Sequence, residues 1–186
     1  MSSVLVFAGS ARKDSFNKKL ARAAAEKASS IGLEAAFIDL ADYEMPLYNG
    51  DIEAEHGLPE SALRLKEVFA AHQGLLISCP EYNSSITPLL KNTIDWLSRG
   101  GEGEAPLAAF RGKVAGLMGA SPGALGGLRG LVHVRSILGN IGVWVAPTQV
   151  ALGKAHAAFD DDGKLIDEAA SKRLAALLDE MTGALT

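Results

Sequence analysis

Three short stretches of this chain combine residue types that can hold a ligand. The first, GSARKDSFN at residues 9–17, joins hydroxyls at Ser10 and Ser15 to the Arg12 guanidinium and the Asn17 amide, with Gly9 for a tight turn. It stands just ahead of a helix-like run, and a helix start presents unpaired N–H groups and the positive end of its dipole. A phosphate monoester, doubly charged and rich in acceptor oxygens, complements that array. Neither G-x-x-x-x-G-K-[ST] nor G-x-G-x-x-G occurs at this turn, which disfavours a nucleoside triphosphate or a dinucleotide pyrophosphate. The plainer reading is that Ser15 or Asp14 caps the helix and Arg12 is solvated.

The second stretch is CPEYNSSITP, residues 79–88. Pro80 fixes the chain direction, and Glu81, Tyr82, Asn83, Ser84 and Ser85 then offer main-chain N–H groups beside one aromatic ring, an array suited to a flat, polar-edged heterocycle. Taken alone it is better read as an ordinary loop between a strand and a helix. The third, GASPGALGGLRG at residues 119–130, is glycine-rich, which lets the backbone approach a ligand closely at an entropic cost. Within it, Gly119 to Gly123 matches the G-x-S-x-G nucleophile elbow of hydrolases, with Ser121 as the nucleophile. The residue after the nucleophile must supply an oxyanion-hole N–H, and Pro122 has none. No Asp or Glu lies between Ser121 and the last histidine, His156, so the triad order fails as well. A serine hydrolase is therefore the weaker alternative.

The elements that must position these stretches alternate along the chain. Val4–Ala8, Leu33–Leu40, Gly74–Cys79, Lys113–Ala120 and Val143–Leu152 read as strands, several of them continuous apolar runs that fit burial on both faces. Helices are expected from Phe16 to Ala28, Pro59 to Gln73, Pro88 to Arg99, Leu128 to Leu138 and Glu168 to Met181. Leu63, Val68 and Phe69 form the apolar side of the second. Thr87 caps the third, and Pro88 occupies its first position, where a missing N–H costs nothing. Asp42–Leu58 and Gly100–Gly112 read as long surface loops. Five alternating units predict one α/β domain over residues 1–186, a parallel sheet between two helical layers. With strand order 2-1-3-4-5, the three stretches lie together at the carboxyl ends of the strands, where a mononucleotide flavin would sit.

Bulk properties narrow the classes. The chain has 186 residues, 48% of them hydrophobic, enough for a core without disulfides or metal. Net charge is −4 with both signs interspersed, which argues against nucleic acid as a partner. Cys79 is the only cysteine. No apolar stretch reaches the roughly 20 residues of a membrane span, and the first residues show no secretory leader pattern. A cytoplasmic protein without membrane partners is the expectation.

The segments GSARKDSFN, PEYNSSITPLLKNTIDWLSR and SPGALGGLRG, in this order and spacing and joined by MPLYNGD, resemble the NAD(P)H-dependent FMN reductase family, in particular its chromate- and quinone-reducing branch. The resemblance runs from Val4 to about Met181. It implies a flavodoxin-like three-layer fold, non-covalent FMN, NAD(P)H as co-substrate, and a homodimer or homotetramer with sites near subunit interfaces. Carried over by position, Ser10, Arg12, Ser15, Phe16 and Asn17 hold the phosphate. Pro80, Glu81, Tyr82, Asn83 and Ser84 line the ring, and Ser121 and Gly123 close the third side. The implied reaction is ping-pong hydride transfer to a quinone, chromate, an azo compound or free flavin, with no side chain as acid or base and no metal. Arg99 is a candidate contact for NAD(P)H from a neighbouring subunit. The non-enzymatic alternative is an FMN-binding electron carrier or sensor. Cys79 reads as a packing residue rather than a redox thiol, since no resolving cysteine exists. The four histidines lack metal-ligand spacing, and Trp96 and Trp144 read as core or interface residues.

Overall fold

A computed structural model describes residues 2–101 and 103–186. In chain order the elements are β1 (Ser3–Ala8), α1 (Phe16–Ser30), β2 (Glu34–Phe37), α2 (Gly50–His56), α3 (Glu60–Ala70), β3 (Gly74–Ser78), β4 (Glu81–Tyr82), β5 (Ser85–Ile86), α4 (Pro88–Leu97), β6 (Val114–Ala120), α5 (Leu128–Asn140), β7 (Trp144–Leu152) and α6 (Glu168–Leu185). The main sheet has the order β2-β1-β3-β6-β7 and every pairing in it is parallel. Counted among its own five strands this is 2-1-3-4-5, the order expected of the flavodoxin-like fold, and the strand order reverses beside β1 and β3.

Two cores, one on each face of the sheet, explain why the central strands read as unbroken apolar runs. On β1, Val4, Val6 and Ala8 point to one core with Leu20 and Ala24 of α1 and Leu174, Leu177 and Leu178 of α6. Leu5 and Phe7 point to the other, with Leu65 and Phe69 of α3, Leu90 and Trp96 of α4 and Leu131 and Val134 of α5. A strand whose side chains alternate between two buried faces has little room for a polar residue without a buried partner.

The differences from the sequence reading have local causes. Asp42–Leu58 is not all loop: Asn49 caps α2, its side chain accepting the Asp51 N–H at 2.9 Å, and Gly57 at φ 74° ends it. Gly100–Gly112 is not all exposed either, since Ala109 and Phe110 are buried and Phe110 packs edge-on against Phe69. Pro59 stands at the cap of α3 rather than inside it. Leu63, expected on the apolar side of that helix, is half-exposed, and the Lys66 stem is buried in its stead. Lys66 reaches the carbonyl oxygen of Arg99 and the Glu104 carboxylate, the latter at 2.6 Å, tying the end of α4 to α3. Trp144 starts the edge strand β7 and is half-exposed, so it is no core residue, whereas Trp96 is fully buried and donates to the Pro46 carbonyl at 2.8 Å.

Candidate flavin site

The turn before α1 has the character of an anion cradle. Ser15 takes the extended backbone of an N-cap, yet its side chain makes no capping bond and the first turn carries no acidic residue. The first main-chain bond back to the cap is from Lys19 N–H to Ser15 C=O, which leaves the N–H groups of Phe16, Asn17 and Lys18 without a partner among the described residues. The Ser15 hydroxyl has none there either, although the residue is 4% exposed. Arg12 is exposed, and its main-chain N–H donates to Ser10 Oγ at 3.3 Å, folding the loop back on itself. Gly9 lies so close to α4 that a Cβ there would stand 2.9 Å from Leu90 Cβ. An uncapped helix start with a free hydroxyl and an unpaired guanidinium fits the phosphate of FMN.

Two side chains predicted to hold that phosphate are turned elsewhere. Phe16 stacks on Phe159, centroids 6.5 Å apart. The Asn17 amide donates to Ala120 C=O at 2.8 Å and accepts from Ala120 N–H and Ser78 Oγ, both at 3.0 Å. Both residues still present main-chain N–H groups in the first turn.

The second stretch folds as a small antiparallel hairpin rather than a plain loop, with Glu81 opposite Ile86 and Tyr82 opposite Ser85. Its central residues, Asn83 and Ser84, have φ of 52° and 65°. Positive φ at both positions is the geometry of a type I′ turn, whose twist matches the flanking strands. Asn tolerates it; Ser does so at some cost. Three hydrogen bonds with α5, and an Arg129–Glu81 ion pair at 3.5 Å, hold the hairpin in place. Glu81 accepts the Gly130 N–H at 3.0 Å, Arg129 donates to Ser84 Oγ at 2.9 Å, and Ser85 Oγ lies 2.9 Å from His133 Nδ1. Tyr82 is half-exposed and Pro80 buried. Behind the hairpin, Thr87 accepts the Leu90 N–H as the α4 cap and donates its hydroxyl to Gly9 C=O at 2.7 Å, so the second stretch is fastened to the first.

The third stretch closes over the sheet end. Ser121 N–H bonds Leu152 C=O, and Ser121 Oγ is 3.4 Å from Gly123 C=O, with no histidine bonded to it among the described residues. A hydrolytic nucleophile needs a base at hydrogen-bond distance, so the elbow match has no chemistry behind it here. Gly126 has φ 61°, and a Cβ there would meet the Ala151 main chain at 2.5 Å; only glycine lets the loop turn this tightly against β7.

Of the remaining candidates, Arg99 lies apart from this cluster. Arg99 follows the last turn of α4, roughly 15 Å along the helix axis from the end that carries the hairpin. Its guanidinium stacks over Tyr48 and bonds Ser98 Oγ. Glu53 accepts the Tyr48 hydroxyl at 2.8 Å and holds that phenol's pKa up. Cys79 is fully buried, and burial pushes its thiol pKa well up, so it packs as the sequence predicts. No group of metal-ligating side chains occurs among the described residues. Among the described residues no helix is long and apolar enough to cross a membrane.

Sequence reasoning missed Ser78, the Thr87–Gly9 bond and the α5 contacts of the hairpin. The first had a faint signal, a hydroxyl closing an otherwise apolar strand. The others join positions distant in sequence and had none.

Comparison with known proteins gives the family. Residues 2–157 match the family described as NADPH-dependent FMN reductase. The chain is 38% identical to an NAD(P)H-dependent FMN reductase of Pseudomonas aeruginosa over 169 residues, 90% of this chain and 86% of that one. It is 39% identical to a quinone reductase of Pseudomonas putida, over 89% of this chain and 86% of the relative. Among solved structures it superposes with TM-score 0.82 on FerB, a flavoenzyme NAD(P)H:(acceptor) oxidoreductase from Paracoccus denitrificans, at 32% identity over 100% of this chain and 97% of that one.

Proposed function

This chain belongs to the NADPH-dependent FMN reductase family, and we propose that it is an NAD(P)H-dependent oxidoreductase that holds FMN non-covalently and reduces quinones. When bound, FMN supplies two-electron chemistry, taking hydride from NAD(P)H and passing it to the acceptor in a ping-pong cycle.

Each part of the chain has a task in this reading. Ser10, Arg12, Ser15 and the first-turn N–H groups of α1 hold the phosphate. The hairpin residues Pro80 to Ser84 and the turn at Ser121–Gly123 supply main-chain donors and acceptors for the ring, with its exposed face left to the substrates. No side chain in the cluster is asked to act as acid or base. Donors fixed by rigid elements stabilise charge on a bound group without reorganising, and the ties from α5 and Thr87 provide that rigidity.

Two finer points belong to the same proposal. Leu125, Leu128 and Val132 leave an exposed apolar strip at the start of α5, beside the hairpin, which supports assembly as a homodimer or homotetramer through this side. In such an assembly Arg99 of a neighbouring subunit is the candidate contact for the NAD(P)H phosphates. Chromate, azo compounds and free flavin are further acceptors to be tried.

The observation that carries the reading is the uncapped, acid-free first turn of α1 with the partnerless Ser15 hydroxyl. The test is a visible spectrum of the purified protein loaded with FMN, recorded without oxygen. Expected are flavin bands that bleach on adding NADH or NADPH and return on adding benzoquinone. Flavin that binds but is bleached by neither nicotinamide would make the protein a carrier instead, and absence of flavin binding would end the proposal.

A further inference from the structure

We propose that Asn17 is a positioning residue, whose side chain fixes the distance between the anion-binding turn and the glycine-rich loop after β6 without touching the ligand. This deepens the FMN reading and rests on it.

β3 and β6 run side by side up to Ser78 and Met118, and the last rung between them is Cys79 N–H to Met118 C=O at 2.7 Å. Beyond it the chain after β3 departs through Pro80, while β6 continues to Ala120. The N–H and C=O of Ala120 therefore meet no partner from β3. The Asn17 amide takes both, accepting at 3.0 Å and donating at 2.8 Å, as a neighbouring strand would. A primary amide is the side-chain group with a donor and an acceptor placed for this. Ser78 Oγ donates to the same Asn17 oxygen at 3.0 Å, so one side chain from α1 joins the ends of β3 and β6. Asn17 is 4% exposed and Ser78 fully buried.

The consequence follows from position. Asn17 is the second residue of α1, inside the turn that offers N–H groups to the phosphate. Ala120 is the last residue before the loop assigned to the ring. A ligand that touches both loops is held best at one separation, and any slide of α1 against β6 must break all three bonds together. The amide oxygen and one of its two N–H groups are thus engaged within the protein.

The test titrates apoprotein with FMN, following quenching of flavin fluorescence, with thermal unfolding of each apo variant as the control for folding. Ser78→Ala removes a buried hydroxyl that reaches no ligand, and is expected to weaken FMN binding about fivefold or more. Asn17→Asp keeps the two acceptor bonds but, when ionised, cannot donate to Ala120 C=O. Its affinity is expected to be poor at about pH 6 and pH 8 alike, because two hydrogen-bond donors and the helix start keep the carboxyl ionised. The double variant is expected to be little worse than Asn17→Asp alone, the non-additivity of groups in one network. An unchanged FMN affinity in Ser78→Ala, or purely additive losses, would overturn the positioning role and make Asn17 a direct ligand. If the unaltered protein binds no FMN, the parent reading falls, a distinct result.

Discussion

Arg12 and Cys79 show how differently two residues beside one cleft are governed. Arg12 is exposed and its side chain bonds no protein group among the described residues, so its charge is available to a ligand and of little use to the fold. Arg12→Glu is expected to weaken FMN binding by roughly ten- to a hundredfold, the scale of a lost charge-assisted hydrogen bond plus repulsion, with thermal stability unchanged. Fluorescence titration and a melting curve check both halves. Cys79, by contrast, is sealed off, and burial raises its thiol pKa. Iodoacetamide should leave it unmodified in the native protein at pH 8 and alkylate it in denaturant, as mass spectrometry would read. The same shift has a sign for stability. Above roughly pH 8.5 the unfolded chain gives up this proton and the native chain keeps it, so native stability falls with rising pH, by up to about 1.4 kcal/mol per unit. A Cys79→Ala variant should lack that component when denaturant midpoints at pH 8 and 10 are compared.

At the scale of elements, the hairpin of β4 and β5 carries a local conflict. Its turn needs two left-handed residues, and the chain supplies Asn83 and Ser84 where Asn-Gly would relax fully. Ser84→Gly is expected to relieve about 1 kcal/mol of backbone strain and raise the apo melting temperature by about 2–4 °C. A fall instead would mean that the Arg129 bond to Ser84 outweighs the strain. The element α1 shows the opposite economy of design: its first turn forgoes a capping bond, worth about 1 kcal/mol in an ordinary helix, and keeps its donors free.

For the whole molecule, the apolar strip of Leu125, Leu128 and Val132 sets the expectation. Val132 is 58% exposed one helical turn from Leu128, and a charge there opposes burial against a second copy at the same face. Val132→Arg should shift the species seen by light scattering toward monomer, while the isolated fold melts as before. An unaltered mass would rule out a subunit contact through this strip.

Alternation of apolar runs with helical periods determined the layer architecture before any contact was known, because a parallel sheet buried on both faces tolerates almost no polar residue along its strands; the strand order came only with the flavodoxin-like resemblance. The capped, proline-led start of α4 and the polar loops at the strand ends were equally legible, since caps and turns depend on neighbours within a few residues. The helix inside Asp42–Leu58 was missed because its signals, Asn49 and Gly57, enclose a segment with no buried residue and hence no apolar stripe. Only the tertiary structure decided which polar groups face the cleft. Asn17 reads in sequence as part of the phosphate turn, and in space its amide is bonded to Ser78 and Ala120, which lie 61 and 103 residues away and come to it through the sheet. Short-range spacing can name a helix start; which way an amide turns depends on the strand end it has to complete.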